Sequence, residues 1–426
     1  MEMFVIEGGH SLKGEVAVSG SKNCSLPILT ATLLCERPSR ISNVPYLADT
    51  GFLLSLMESF GVSQKRDENN DVLIDARSIT STVASYEMVR KMRASVLVLA
   101  PLLARAGEAK VSLPGGCAIG SRPVDLHLMG LKKLGADLKV QDGYIHATLK
   151  NSSFIGADIE LPLPSVGATE QIIMAAVLAK GVTNLFGAAK EPEVVDFCKA
   201  LISAGAKITG HGTSHVVIDG VSSLGSMVYQ VAPDRIEAGT LIAAAAATAS
   251  TITIKNVCVD DMASVIHHFE KAGCLFKSSP ELGENSELMV IAPKRLTATN
   301  METAAHPGFP TDMQAQFMAA MTVAQGTSVI YERIFENRMM HVPELNRLGA
   351  RIELHRGVAT VVGQESLLAA PVMATDLRAS ASLIIAALAA QGQSEVRRIY
   401  HLDRGYEALD KKLTKLGASL TRCTQT

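Results

Sequence analysis

Basic side chains recur where apolar segments of this chain begin. Lys22 in Ser21-Lys22-Asn23, Arg93 in Lys91-Met92-Arg93 and Arg378 in Asp376-Leu377-Arg378 each stand at the start of an Ala-rich run, and Ser165-Val166-Gly167, Asp234-Arg235-Ile236-Glu237 and Thr311-Asp312 open three more. A helix N-terminus presents unpaired N–H groups and the positive end of the backbone dipole, so it favours anions, and a lysine or arginine there strengthens the effect. Taken singly, Asp312 and Ser165 also read as ordinary N-caps, and the basic residues as solvated or paired surface groups. The recurrence of Lys22, Arg93 and Arg378 at equivalent points of an internal repeat weakens that second reading.

A different chemistry is suggested by Ser112–His127, which holds Gly115, Gly116, Cys117, Gly120, Arg122 and Pro123. The glycines make a loop, and Pro123 suits the first turn of the amphipathic helix that follows. Cys117 lies five residues from Arg122 and near a helix start. Such a placement can lower a thiol's pKa and let it act as nucleophile or acid. The alternative is a buried structural cysteine. His127 reads by itself as a packing or hydrogen-bonding residue.

The elements that must position these groups repeat along the chain. Six amphipathic segments stop at Gly61, Gly135, Gly205, Gly273, Gly349 and Gly417, separated by 74, 70, 68, 76 and 68 residues, and 426 residues divide into six units of 71. Glycine supplies the left-handed C-cap of each. In the same rhythm run Ala-rich helices, apolar around most of their circumference, such as Leu241–Ala247 and Leu383–Ala390. A β-branched strand follows each. Such a unit cannot bury its apolar helix alone, so three units pack together per domain, with a boundary near Ala232-Pro233. The stretch before Lys22, including Glu15–Val18, resembles strands that precede other helix starts, and is expected to complete the last unit in the C-terminal half.

Composition narrows the function. Forty basic and 42 acidic residues give a net charge of −2, which argues against a nucleic-acid binder. No apolar run reaches the roughly 20 residues of a membrane helix, and the N-terminus lacks a secretory signal. Seven cysteines without a Cys-x-x-Cys pair suit a reducing cytoplasm. There is no His-Glu-x-x-His, Walker A or Gly-x-Ser-x-Gly pattern, and Gly115–Gly120 is a poor dinucleotide fingerprint. No metal is expected.

The motifs Ser19–Asn23, Pro114–His127, Phe309–Gln316, Phe335–Arg338, Ala374–Ser380 and Asp403–Tyr406 closely resemble those of the enolpyruvyl transferases that act on UDP-N-acetylglucosamine. The resemblance runs from the first strand to the last helix. It implies an α/β, two-domain fold, an inside-out α/β barrel with three repeats per domain around buried helices. Residues 22–232 would form the domain carrying the Cys117 loop, residues 1–21 and 233–426 the other, with the active site in the cleft between them. It also implies transfer of the enolpyruvyl group of phosphoenolpyruvate to the sugar C3 hydroxyl with release of phosphate, the entry step of peptidoglycan precursor synthesis in the cytoplasm, by a monomer that needs no cofactor.

Site roles follow from the same resemblance. Lys22, Arg122 and Arg404 would hold the phosphate of phosphoenolpyruvate, and Arg93, Arg338 and Arg378 its carboxylate or the field around it. Asn23 and Asp312 would bind the sugar, with Asp312 the base, while Cys117 would be the proton donor and the residue alkylated by fosfomycin. Pro123, Leu126 and His127 would line the uracil pocket, and Ser165, Val166 and Gly167 would meet the diphosphate. Val124, Asp125, Ile334 and Asp376 complete the substrate-binding set. Leu163 departs from the basic residue of many relatives, and Cys24 reads as packing. Two rivals are the sister transferase acting on shikimate phosphate, which lacks the Cys loop and follows its Lys with Ser, and a non-catalytic paralogue that binds a UDP-sugar.

Overall fold

A computed structural model describes residues 2–114, 123–150, 153–279 and 286–424. The chain divides into two compact units. One holds the described residues between 20 and 232, and the other joins those before Gly20 to those from Pro233 onward.

Each unit is built on three core helices. In the first these are Lys22–Ala31, Leu99–Ala106 and Val166–Ala176, and in the second Arg235–Ala247, Gln314–Met321 and Leu377–Ala389. Their composition explains their burial. Ile236 through Ala246 are all buried, and small alanine side chains leave no polar face to turn to water. Two core helices begin with a tighter turn than the sequence suggests: Arg93–Val98 and Thr311–Met313 are 3₁₀ segments that feed the α-helices behind them.

A sheet packs outside each core helix, giving six among the described residues. In the third repeat, Val182–Phe186 follows the core helix. It pairs parallel with Asp158–Glu160 and antiparallel with His215–Asp219, which pairs with Lys207–Thr209. The outer helices between these strands end on the six glycines, all at positive φ between 84° and 105°. At Gly135 and Gly417 an added Cβ would meet nothing within 4 Å, so backbone conformation alone selects glycine there.

The expected placement of the N-terminal strands needs a correction. Lys13–Ala17 pairs parallel with Thr251–Val257, in the fourth sheet rather than the last. Glu2–Gly8 is the segment that joins the sixth sheet, lying between Ala390–Arg397 and Ser419–Thr424. Val228–Gln230 correspondingly completes the first sheet on Ser39–Ser42. The reason is ring closure. Within each unit the first sheet needs a parallel edge strand, which the neighbouring segment of its own repeat does not supply. Among the described residues no helix is long and apolar enough to cross a membrane.

Candidate active site

In the unit from Gly20 to Ala232, Ser21 caps the first core helix by accepting the Cys24 N–H at 3.2 Å. That leaves Lys22 and Asn23 as the first two helical residues, both partly exposed. The Lys22 ammonium lies 2.8 Å from Asp49, whose side chain is only 1% exposed. Asp49 stands in the first turn of Ala48–Glu58. It was not legible as a site residue, because an acid in a helix's first turn needs no further explanation.

Farther along, Arg93 donates through Nη2 to the Pro123 carbonyl at 3.2 Å, which ties one helix start to the entrance of the next. Val124 is buried and caps Asp125–Lys133, Asp125 is exposed, Leu126 is half-buried and His127 is buried. The His127 ring lies against the start of the third core helix, where a Cβ on Gly167 would come within 3.0 Å of its Cε1. A side chain at 167 would make the ring give way by a few tenths of an ångström. Ser165 is the N-cap, accepting the Ala168 N–H at 3.4 Å, and Val166 is the first helical residue. Cys117 and Arg122 lie outside the described residues. Burial raises the thiols of Cys24, Cys35, Cys198, Cys258 and Cys274, Cys274 to about 12, so none of these five has thiolate character at neutral pH.

The other unit gathers a denser cluster. Asp312 is not a cap, since Pro310 opens its turn. Its carboxylate is instead gripped by two guanidiniums: Arg338 Nη2 donates to Oδ1 at 2.6 Å and Arg378 Nη2 to Oδ2 at 2.8 Å. Burial by itself would push the Asp312 carboxyl up, but Arg378 and then Arg338 overcome it and hold the group well below its usual range. Both arginines are nearly inaccessible, at 7% and 3%. Arg378 Nε and Nη1 have no hydrogen-bond partner among the described residues. Two cations on one acid, with donors to spare, make an arrangement that calls for a second anion.

Supporting residues set this geometry. Asp376 caps the sixth core helix, accepting the N–H groups of Arg378 and Ala379 at 2.8 and 3.0 Å. Glu332 is 9% exposed and accepts from Thr303 Oγ1, Thr311 Oγ1 and the N–H groups of Ile334 and Phe335. Thr311 in turn accepts from Arg338 Nη1 at 2.9 Å. One buried glutamate therefore fixes the turn carrying Asp312 and the loop carrying Ile334 and Arg338. Sequence reading missed it, as its partners are up to 29 residues away. Arg404 closes the Ile399–Arg404 turn and is half-buried, two residues before the buried Tyr406.

Six repeats wound around Ala-rich helices, with cationic groups at helix starts, fit a protein that handles anions, and the comparisons specify its class. The family model described as EPSP synthase (3-phosphoshikimate 1-carboxyvinyltransferase) matches residues 6–413, and the chain belongs to this family of enolpyruvyl transferases. Among curated proteins, the UDP-N-acetylglucosamine 1-carboxyvinyltransferases of Dichelobacter nodosus and Myxococcus xanthus are 52% and 50% identical, with 99% of each chain covered. Of solved structures, the enolpyruvyl transferase NikO from Streptomyces tendae superposes with a TM-score of 0.87 at 25% identity, covering 100% of this chain and 99% of NikO. EPSP synthase from Acinetobacter baumannii shares the fold at a TM-score of 0.77 and 17% identity, with both chains fully covered.

Proposed function

We propose that this chain transfers the enolpyruvyl group of phosphoenolpyruvate to the C3 hydroxyl of UDP-N-acetylglucosamine and releases phosphate. The observation that carries this reading is the Asp312–Arg338–Arg378 cluster, with unsatisfied guanidinium donors, in a chain about half identical to carboxyvinyltransferases named for that sugar nucleotide.

Phosphoenolpyruvate carries a carboxylate and a phosphate on three carbons, so holding it beside a diphosphate needs several fixed cations. In this reading Arg378, Arg338 and Arg93 take the carboxylate, and Lys22, Arg122 and Arg404 the phosphate. Cys117 protonates the methylene carbon, which leaves an oxocarbenium-like centre at C2. The sugar hydroxyl attacks that centre while Asp312 accepts its proton, giving a tetrahedral adduct. Return of a methyl proton and departure of phosphate then restore the enol ether. Asn23 orients the sugar, Pro123, Leu126 and His127 surround the uracil with Val124 and Asp125 at the same helix entrance, and Ser165, Val166 and Gly167 offer N–H groups to the diphosphate. Ile334 and Asp376 flank the sugar side.

The ion pairs bear on the base. A carboxylate held below its ordinary range is ionised at neutral pH but weakly basic. A substrate carboxylate drawing on the remaining Arg378 donors would share the guanidinium charge and raise the basicity of Asp312 when it is needed. Cys117 is also the thiol on which fosfomycin would act, and peptidoglycan precursor synthesis in the cytoplasm is the setting for the product. The test is phosphate release from phosphoenolpyruvate with and without UDP-N-acetylglucosamine. Release that requires the sugar nucleotide supports the reading. Release without it, release driven by shikimate 3-phosphate instead, or none at all contradicts it.

A further inference from the structure

The Arg378 side chain donates through Nη2 to Asp312, and its Nε and Nη1 have no partner among the described residues. One hydrogen bond fixes a point on a guanidinium but not its plane, and a bidentate carboxylate site needs the plane. What lies beneath the group is the ring of Tyr406, with the guanidinium carbon 5.3 Å from the ring centroid. That distance is within the range of a cation–π contact. Arg378 and Tyr406 are 3% and 2% exposed, so little water weakens it.

The ring is itself anchored by a network in which every proton has a place. Thr240 Oγ1 donates to the Ile236 carbonyl at 2.7 Å, which leaves it as acceptor for the Tyr406 hydroxyl at 2.9 Å. The Gln316 amide donates one hydrogen to the Asp312 carbonyl at 2.8 Å, and the other points to the Tyr406 oxygen at 3.1 Å. Thr240, Gln316 and Arg378 stand on three different core helices, so one phenol joins the tips of all three. Two glycines beside this network lie close to neighbouring side chains. A Cβ on Gly405 would fall 2.6 Å from Leu377 Cδ2, and one on Gly239 would fall 2.7 Å from Met313 Sδ.

We propose that Tyr406 is a positioning residue for Arg378, its ring a platform held in place by Thr240 and Gln316, so that the guanidinium presents its unused edge to the carboxylate of phosphoenolpyruvate. This rests on the enolpyruvyl-transfer reading, and wild-type phosphate release that requires both substrates decides that reading separately. The test compares Tyr406→Leu, Tyr406→Phe and Thr240→Val in the same assay. Tyr406→Leu removes the platform and is expected to raise KM for phosphoenolpyruvate at least about tenfold. Tyr406→Phe and Thr240→Val keep the ring and lose an anchor, for a rise of about threefold. KM for UDP-N-acetylglucosamine stays within about twofold in all three. Thr240→Val is nearly isosteric and keeps the test open should a Tyr406 variant fail to fold. Unchanged KM for phosphoenolpyruvate in the folded variants, or equal rises for both substrates that track loss of thermal stability, would overturn the proposal.

Discussion

Glu170 is a buried acid and Asp312, in the other unit, an acid still 25% exposed between two arginines, and the two answer desolvation in opposite ways. Glu170, 4% exposed on the third core helix, has its carboxyl pushed well above its usual 4.5, first by burial and then by Glu193 and Glu191. For Asp312 burial pushes in the same direction, but Arg378 and Arg338 reverse the outcome. Removing water gives the same sign in both places, and the neighbours decide the result. Depth alone therefore does not mark the site, whereas cations brought to an acid in excess of its charge do. Lys22 and Asp49 form a third arrangement, one cation against one buried acid.

The largest expected effect breaks the Asp312 side of this comparison. Asp312→Asn removes the acceptor for the hydroxyl proton, and kcat should fall about 10²–10⁴-fold, the usual worth of a positioned general base. Steady-state phosphate release measures it, and a loss under about tenfold would mean that Asp312 is not the base. Next, Lys22→Met leaves Asp49 without that cation in a nearly closed environment and should lower stability by about 3 kcal/mol, read by urea denaturation. If Lys22→Met, Asp49→Asn recovers part of that loss, the pair itself is responsible.

Glu170 sharpens the contrast through pH. Because its folded pKa is raised, its contribution to stability is fully present below about 4.5 and is lost as pH rises through the folded value. Asp312 has the opposite sign: its contribution is present above 3.8 and is lost as pH falls through its depressed value. Glu170→Gln should therefore remove a fall in stability that sets in as pH rises above about 4.5, and Asp312→Asn should remove an acid-side loss that sets in as pH falls below about 3.8. Denaturation curves that keep the wild-type slopes would refute the assignments. The smallest effect is expected at Leu163, which is 57% exposed just before the Ser165 cap. Leu163→Lys should lower KM for UDP-N-acetylglucosamine about two- to fivefold, more at low salt.

What could be read from the sequence was local. The six glycines declare themselves because a left-handed residue ends each outer helix, and the core helices because alanine-rich runs lack a polar face. A helix cap such as Ser165 was visible from its residue type and place. What stayed hidden depends on chain segments far apart. The parallel strands Lys13–Ala17 and Val228–Gln230 find partners more than 180 residues away, and no pattern within them says which sheet they join. Asp49, Glu332 and Thr240 act on Lys22, Thr311 and Tyr406 across similar gaps in information. Asp312 shows the difference at one residue. Its type and place suggested a cap, the family resemblance implied a base, and only the three-dimensional arrangement shows two arginines sharing it.

The account turns on the spare donors of Arg378 serving a carboxylate. The direct measurement is kcat/KM for phosphoenolpyruvate at saturating UDP-N-acetylglucosamine, in the wild type and in Arg378→Met. A loss of about 10²–10³-fold, with KM for the sugar nucleotide within about twofold, is the expected result. Equal kcat/KM in the two proteins, or a loss that falls on the sugar nucleotide instead, would contradict it.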